Sequence, residues 1–246
     1  RKAADFSIER VRDVLRAVDL SQVIWMNPQK ATAAPTGLLL PPERLAEQRG
    51  GGTWSQMFDS SSALNRLQWL GAFAWWGGLL MLGWLLFPLT FLAFSGLPER
   101  GYAVSKILAL LLIAWLAWLL ASVHWAPFTR GTIGLLAGGL GLLAAGVAAR
   151  RTAEMRRWIV AHRRYIISVE LLWLALFLFD LFIRWHNPDL WHPAYGGEKP
   201  MDFSYFNAVL RSTSFPPFDP WLAGGYINYY YFGYVLAAVP TKLLGI

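Results

Sequence analysis

Long apolar runs separated by short polar stretches make up most of the chain after residue 66. Most of them reach or exceed the ~20 residues with which an α-helix crosses the hydrocarbon core of a bilayer. The pattern therefore predicts five membrane-spanning helices, at residues 67–94, 104–125, 131–149, 165–185 and 226–246. Gly134 and Gly138 form a GxxxG pair in the third run, which indicates close packing against another helix. The fold class is predicted to be all-α, a multi-span integral membrane protein in contact with the lipid bilayer.

The first 66 residues show a different pattern, with no apolar run of membrane-spanning length. Ile8, Val11 and Leu15 recur at helical spacing with charged residues between them, which predicts a short amphipathic helix. The chain begins without Met and stops as an apolar run ends, so we expect it to be a piece of a larger polypeptide. The predicted segments are a soluble part at 1–66, three spans with a basic connection at 67–164, and a helix–loop–helix unit at 165–246.

Composition supports the membrane class and narrows the chemistry. Apolar residues make up 56% of the chain, which contains 14 Trp and no Cys. Without Cys, neither a disulfide framework nor a thiolate metal site can form. The formal net charge is +7, but the arginines lie beside the apolar runs rather than along a binding face. Nucleic acid is therefore not an expected partner.

The orientation in the membrane follows from one basic connection between the third and fourth runs. It contains Arg150, Arg151, Arg156, Arg157, Arg163 and Arg164. Because short connections rich in Lys and Arg remain in the cytoplasm, the loop at 150–164 is predicted to be cytoplasmic. Alternation then places residues 1–66 and the long 187–225 loop on the extracytoplasmic side of the cell membrane.

The 187–225 loop is acidic and contains a helical pattern. Its apolar positions between residues 201 and 210 fit a short helix lying on the membrane surface. Asp202 falls in the first turn of that helix, where the helix dipole favours an ionised carboxylate. Pro216, Pro217 and Pro220 stiffen the following stretch. A rigid acidic loop over a membrane opening is a suitable platform for catalysis.

Tyr229, Tyr230 and Tyr231 stand where this loop enters the last apolar run, and Phe232 and Gly233 complete the motif YYYFG. At ~100° per residue, three adjacent tyrosines at a helix start cannot face one direction. Some of their hydroxyls must therefore face the loop, a cavity or the lipid headgroups. This makes the junction the strongest candidate for a functional site.

Two acids lie inside the fourth predicted span, where ionisable groups are costly and usually face a partner or a cavity. Asp180 precedes Arg184 by four residues, which favours a salt bridge within the helix. Glu170 lies nearer to the basic connection, within expected reach of Arg163 or Arg164.

Several motifs together resemble a known family. EKPMDFSYFNAVLRS, FPPFDPWLAGG and NYYYFG, preceded by LPERGYAVSKILALLL and PFTRGT, resemble the Chlor_Arch_YYY family of large membrane proteins of Chloroflexi and archaea. The resemblance covers residues 66–246. Members with two copies of this module imply that residues 1–66 are the tail of a preceding module.

The layout of this family is similar to the first part of GT-C glycosyltransferases. Those enzymes have many membrane helices, a polyprenyl-phosphate sugar as donor, and a large outer loop with an acid near a surface helix. The resemblance implies that Glu198 and Asp202 hold the corresponding positions. The chain departs from the GT-C layout because three spans precede this unit and further GT-C helices are absent.

The resemblance implies a carboxylate that takes a proton from an acceptor hydroxyl or holds a divalent cation on the lipid phosphate. Asp202 is the first candidate and Glu198 the second, while Lys199 and Arg211 would pair with the donor phosphate. The remaining expected substrate-binding residues are Trp221, Asn228, Tyr229, Tyr230 and Tyr231. In the structural alternative, Glu198 and Lys199 form a solvated pair, Asp202 caps a helix and the tyrosines anchor the chain at the interface.

The sequence leaves the function open among three classes. The first is a glycosyltransferase-like membrane module. The second is a non-catalytic membrane scaffold or accessory subunit that packs against other membrane subunits. The third is a transporter, although no paired broken helices or inverted repeat is visible.

Overall fold

The computed structural model describes residues 8–17, 43, 46, 58–187, 199–222 and 225–246. The chain divides into two compact units, residues 1–39 and 40–246. The described part of the first unit is helix α1 (Ile8–Ala17), which confirms the predicted amphipathic helix. The described residues form eight helices and no strand, which confirms the all-α class.

Four helices are long and apolar enough to cross a membrane, and they coincide with the first four predicted spans. A short helix, α2 (Ala63–Arg66), precedes them. The four spanning helices are α3 (Gln68–Ala93), α4 (Ser105–Ser122), α5 (Arg130–Ala161) and α6 (Arg163–His186). Two shorter helices follow, α7 (Lys199–Arg211) and α8 (Phe232–Leu244).

Helices α3, α4 and α5 pack against one another as a three-helix bundle. Small side chains on α4 permit this close approach, since Ala114, Ala117 and Ala121 are buried. On α5, a Cβ atom at Gly141 would lie 3.0 Å from Leu85 of α3, so glycine leaves the space that Leu85 fills. Helix packing around small residues therefore forms the centre of this unit.

The GxxxG pair does not take part in this packing. A Cβ atom at Gly134 or Gly138 would meet no atom within 4 Å in the described chain. The predicted close packing at this pair is therefore not found between the described helices. Gly141, one turn further along α5, makes the close contact instead.

The connection between the third and fourth spans is a helix rather than the predicted loop at 150–164. Helix α5 continues to Ala161 with a local break at Arg151, and only His162 separates it from α6. Trp158 and Met155 hold the extension in place because they join a buried cluster with Phe87 of α3. At 1.5 Å per residue the 32-residue helix is about 48 Å long, more than a bilayer core requires.

The fifth predicted span is also wrong. Helix α8 has 13 residues, which is about 20 Å and too short to cross a bilayer core. Trp118, near the end of α4, donates a hydrogen bond to the Tyr231 hydroxyl at its start. Asn65, just before α3, donates to the carbonyl of Gly245 at its end. Both ends of α8 therefore lie at one end of the bundle, called the loop end here, and the helix runs across it.

Candidate functional site

Helix α7 confirms the short helix predicted in the long loop. It packs on α8, and its residues Val209 and Leu210 are fully buried in the same apolar cluster as Val235. The segment after α7 is tied to the turn between α4 and α5, since the Phe128 amide donates to the carbonyl of Thr213 at 2.8 Å. These contacts hold the polar face of α7 at the loop end.

Asp202 lies in the first turn of α7, as predicted. The hydroxyl of Tyr234, in the first turn of α8, donates a hydrogen bond to Asp202 Oδ1 at 2.5 Å. The Asp202 side chain remains exposed. A carboxylate oriented by a phenol, yet open to solvent, is available to a substrate.

Asp202 opens into a cleft of about 300 Å³ between α6, α7 and α8. Its lining residues are Arg184, Lys199, Asp202, Phe203, Phe206, Tyr234 and Ala237. The cleft is therefore lined by two cationic side chains and one carboxylate, together with two phenylalanine rings. Arg184 and Tyr234 were missed as site residues from the sequence. The sequence signal that could have identified Arg184 is its position at the end of a span, just before the acidic loop.

The tyrosine motif begins before helix α8 rather than on it, so its side chains diverge, as predicted, but not through helical spacing. Tyr231 is the residue preceding the first helical turn. The hydroxyl of Tyr229 donates to that of Tyr230, whose side chain is 76% exposed. Tyr205 of α7 lies between the motif and the cleft, with its ring 6.2 Å from those of both Tyr229 and Tyr234. Aromatic rings thus connect Tyr229 with the tyrosine that holds Asp202.

Tyr231 points away from the cleft. Its ring stacks on Phe215 at a centroid distance of 5.7 Å, and its hydroxyl accepts the hydrogen bond from Trp118. This position fits a packing role that fixes the start of α8. Asn228 is exposed on the neighbouring irregular segment and does not line the cleft.

Arg211 lines a different cavity of about 190 Å³ on the opposite face of α7, with Ser204, Asn207 and Thr213 among its neighbours. Trp221 is close to this second cavity, because its indole nitrogen donates to the Ser204 hydroxyl at 2.9 Å. The predicted grouping of Arg211 and Lys199 on one phosphate is therefore not found. Lys199 remains beside Asp202.

Glu198 lies outside the described residues, and its neighbour Lys199 lines the cleft. In the described ranges, no three His, Asp or Glu side chains come together as a metal site. The described residues of the cleft offer one carboxylate and one phenol beside two cations. These described groups are fewer than the several oxygen ligands that a divalent cation prefers.

Lys242 attaches the end of α8 to the loop end. Its ammonium group donates to the carbonyls of Phe128, at 2.5 Å, and Ser212, at 3.4 Å. It also lies 4.3 Å from the centre of the Phe128 ring. Burial lowers the pKa of Lys242 to about 7. The residue is thus a buried link between α8, the end of α7 and the α4–α5 turn.

The acids in the fourth span do not form the predicted pairs. Glu170 pairs with Lys106 of α4 at 2.6 Å, and the Tyr102 hydroxyl donates to the same carboxylate oxygen. Burial, with the hydrogen bond to Glu170, raises the pKa of Tyr102. Within the described structure, Asp180 and Arg184 form no ion pair. Arg184 faces the cleft instead.

These features define a helical multi-span membrane protein with a polar cleft at one end of its bundle. Residues 112–246 match the family described as Uncharacterized membrane protein (DUF2298), and the chain belongs to this family. The match begins within α4 and includes the whole cleft. No curated protein and no solved structure matches the chain.

Proposed function

We propose that this protein is a glycosyltransferase-like membrane module that uses a polyprenyl-phosphate sugar as donor on the extracytoplasmic side. The observation that carries the proposal is the cleft that Arg184, Lys199 and Asp202 line together. The resemblance to the Chlor_Arch_YYY family and to GT-C enzymes supports the same assignment. The loop end would face the cell exterior, with the basic part of α5 in the cytoplasm, as the arginine distribution predicts.

The cleft suits a lipid phosphate in charge and in surroundings. Arg184 and Lys199 supply two cationic groups, and cations beside a phosphate stabilise the negative charge that grows as the sugar departs. Phe203 and Phe206 give the same cleft an apolar wall. Arg184 lies near the end of a spanning helix. A lipid whose chain lies in the bilayer could therefore place its phosphate in the cleft. These properties together favour a phosphate attached to a lipid.

The proposed step is a displacement at the anomeric carbon of the donor sugar. The acceptor hydroxyl oxygen forms a bond to this carbon while the bond from the carbon to the phosphate oxygen breaks. The polyprenyl phosphate leaves with that electron pair, held by Arg184 and Lys199. Asp202 takes the proton of the acceptor hydroxyl as general base, with Glu198 as the second candidate for this role. Tyr234 orients the Asp202 carboxylate.

The other substrate-binding residues occupy two further places. Tyr229 and Tyr230 are exposed beside the ring of Tyr205, where their hydroxyls could bond to the donor sugar. Asn228 shares this exposed segment. Arg211 and Trp221 lie at the second cavity on the other face of α7, where they would contact a part of the acceptor distant from its reacting hydroxyl.

Donor turnover by the full-length protein in nanodiscs tests this function. Mass spectrometry would follow loss of the sugar from a polyprenyl-phosphate sugar, together with donor binding. We expect Asp202→Asn to lose turnover while it still binds the donor, because both cations remain. Asp180→Asn is the matched control, since this acid lies outside the cleft. Turnover by Asp202→Asn at the rate of the parent would remove the proposed role of Asp202.

A non-catalytic scaffold is the alternative, and one observation favours it. A Cβ atom at Gly134, Gly138 or Gly146 of α5 would meet nothing within 4 Å in the described part of the chain, and Gly138 and Gly146 are exposed. Another membrane subunit could pack closely there. An absence of saturable donor binding, together with co-purification of a membrane subunit that Gly138→Leu disrupts, would favour the scaffold.

A further inference from the structure

We propose that Glu170 and Lys106 position helix α6 and thereby hold Arg184 at the cleft. The inference rests on the proposed function, because the two residues would position a donor-binding side chain without contacting the substrate themselves. Glu170 and Arg184 lie on the same helix, 14 positions apart, which is about 21 Å at 1.5 Å per residue.

Helix α6 is weakly held compared with the other spans. None of its residues is buried, whereas α3, α4 and α5 each bury several. Only 6% of its most apolar stretch is buried, against 39% for α3 and α4. It follows α5 after the single residue His162. Few packing contacts therefore fix its direction, and individual polar contacts gain importance.

Glu170 makes a close, largely buried polar contact between α6 and α4. Lys106 Nζ lies 2.6 Å from Glu170 Oε1, with side chains that are 6% and 20% exposed. Among the described residues of α6, Glu170 alone takes part in an ion pair. Its other oxygen, Oε2, is buried and has no hydrogen-bond partner among the described residues. In a low-dielectric environment each charge of such a pair depends on the other, so separating them is costly.

The surrounding residues are built to receive this pair. Lys106 Nζ lies 5.2 Å from the centre of the Tyr102 ring and 5.7 Å from that of Trp173 on α6. The Tyr102 hydroxyl donates to Glu170 Oε1 as well. A Cβ atom at Gly83 of α3 would stand 2.5 Å from Lys106 Cγ, so glycine leaves the space for the lysine stem. Helix α3, the turn before α4 and α4 itself therefore surround the contact by which Glu170 attaches α6 to the bundle.

The attachment of α6 at Glu170 affects the other end of the helix, where Arg184 lies. Arg184 faces Lys199, Asp202 and Tyr234 across the cleft, and no described residue forms an ion pair with it. Its position depends on the direction of α6 as a whole. Loss of the Glu170–Lys106 pair should therefore displace Arg184 from the cleft, although both paired residues lie near the opposite end of the helix.

A distance measurement between spin labels tests this inference. The full-length protein in nanodiscs would carry spin labels at Ile183→Cys on α6 and Leu135→Cys on α5. The 246 residues of the sequence contain no Cys of their own. We expect one narrow distance in the parent, and loss of that narrow distance in Lys106→Met and in the milder Glu170→Gln. Asp180→Asn, an acid of the same helix, should leave the distance unchanged.

A second label pair separates local from general effects. Trp69→Cys on α3 with Leu135→Cys on α5 reports on the bundle alone, and we expect its distance to stay constant in every variant. A change in this pair equal to that at Ile183 would mean general unfolding and would overturn the positioning role. An unchanged distance at Ile183 in both charge variants would overturn it directly.

Donor binding distinguishes this inference from the proposed function. If the parent protein binds no polyprenyl-phosphate sugar while the charge variants lose the narrow distance, the positioning pair stands and the proposed function fails. If the parent binds the donor but the distance at Ile183 is unchanged, the function stands and the positioning role fails.

Discussion

The Tyr234 hydroxyl donates a hydrogen bond to Asp202 Oδ1 at 2.5 Å and so joins the first turns of α7 and α8. The residues are 32 positions apart in sequence. They meet because α8 runs across the loop end instead of descending through the bilayer. The orientation of the candidate general base thus depends on the path of the last helix.

Tyr234→Phe should reduce donor turnover without abolishing donor binding, because the ring stays while the hydrogen bond to Asp202 is lost. Stability should fall by about 1 kcal/mol, since the carboxylate is exposed and water replaces the phenol in part. Turnover and thermal unfolding would be measured together. Tyr205→Phe is the control, because no hydrogen bond of its hydroxyl is found among the described residues. Equal losses in both variants would argue against a specific role for Tyr234.

Arg184→Gln should weaken donor binding about tenfold or more, which corresponds to about 1.4 kcal/mol for the loss of one charge-assisted contact to phosphate. Arg211→Gln should leave donor affinity within about twofold, since Arg211 lines the other cavity. Native mass spectrometry with a titrated polyprenyl-phosphate sugar measures both values. Donor affinity that depends on Arg211 rather than Arg184 would move the phosphate site to the second cavity.

The two ends of α8 should face the same side of the membrane. Tyr230→Cys and Ile246→Cys, made separately, should both react with an impermeant maleimide added to vesicles of one orientation. Arg156→Cys, at the other end of the bundle, should react only after the vesicles are opened. Labelling of Ile246→Cys together with Arg156→Cys would show that the helix crosses the membrane.

Gly83→Ala should destabilise the protein, because the added methyl group would approach Lys106 Cγ at 2.5 Å and its Cα at 3.3 Å. Overpacking of this kind costs about 1–3 kcal/mol. Gly77→Ala is a matched control in the same helix, where the methyl group meets nothing within 4 Å. Thermal unfolding in one detergent compares the two variants. Equal melting temperatures would mean that Lys106 does not need the space.

Lys242 should make stability rise with pH. Its pKa falls from the ordinary 10.5 to about 7 on folding, so between these values the unfolded chain binds more protons than the folded one. Stability from this group should increase from about pH 7 toward pH 10, by at most about 1.4 kcal/mol per pH unit. The melting temperature of Lys242→Met should lack this increase. An identical pH profile in parent and variant would exclude Lys242 as its source.

The features that depend on local sequence were predictable. Four spans follow from the length of their apolar runs, and α7 with Asp202 in its first turn follows from helical spacing. Long-range relationships were not predictable. Arg184 and Tyr234 reach Asp202 only because three helices converge, and no pattern within one segment indicates that convergence.

The failed predictions share one physical cause, which is tertiary packing that overrides a local pattern. The arginine-rich stretch was expected to form a loop, but Met155 and Trp158 bury against α3 and keep it helical. Glu170 was assigned to a nearby arginine, yet Lys106 from α4 lies closer in space. The final apolar run has spanning length in sequence, but its first residues form the irregular tyrosine segment and its helix turns across the bundle.

Photo-crosslinking of the full-length protein with a photoactivatable polyprenyl phosphate would locate the lipid-phosphate site. Labelled peptides would be identified by mass spectrometry, with unlabelled polyprenyl-phosphate sugar as competitor. We expect competed labels on Phe203, Phe206 or the end of α6 near Arg184, and their loss in Arg184→Gln. Labels confined to the exposed faces of α3 and α5, or labels that the competitor does not reduce, would show that the cleft at Asp202 is not a donor site.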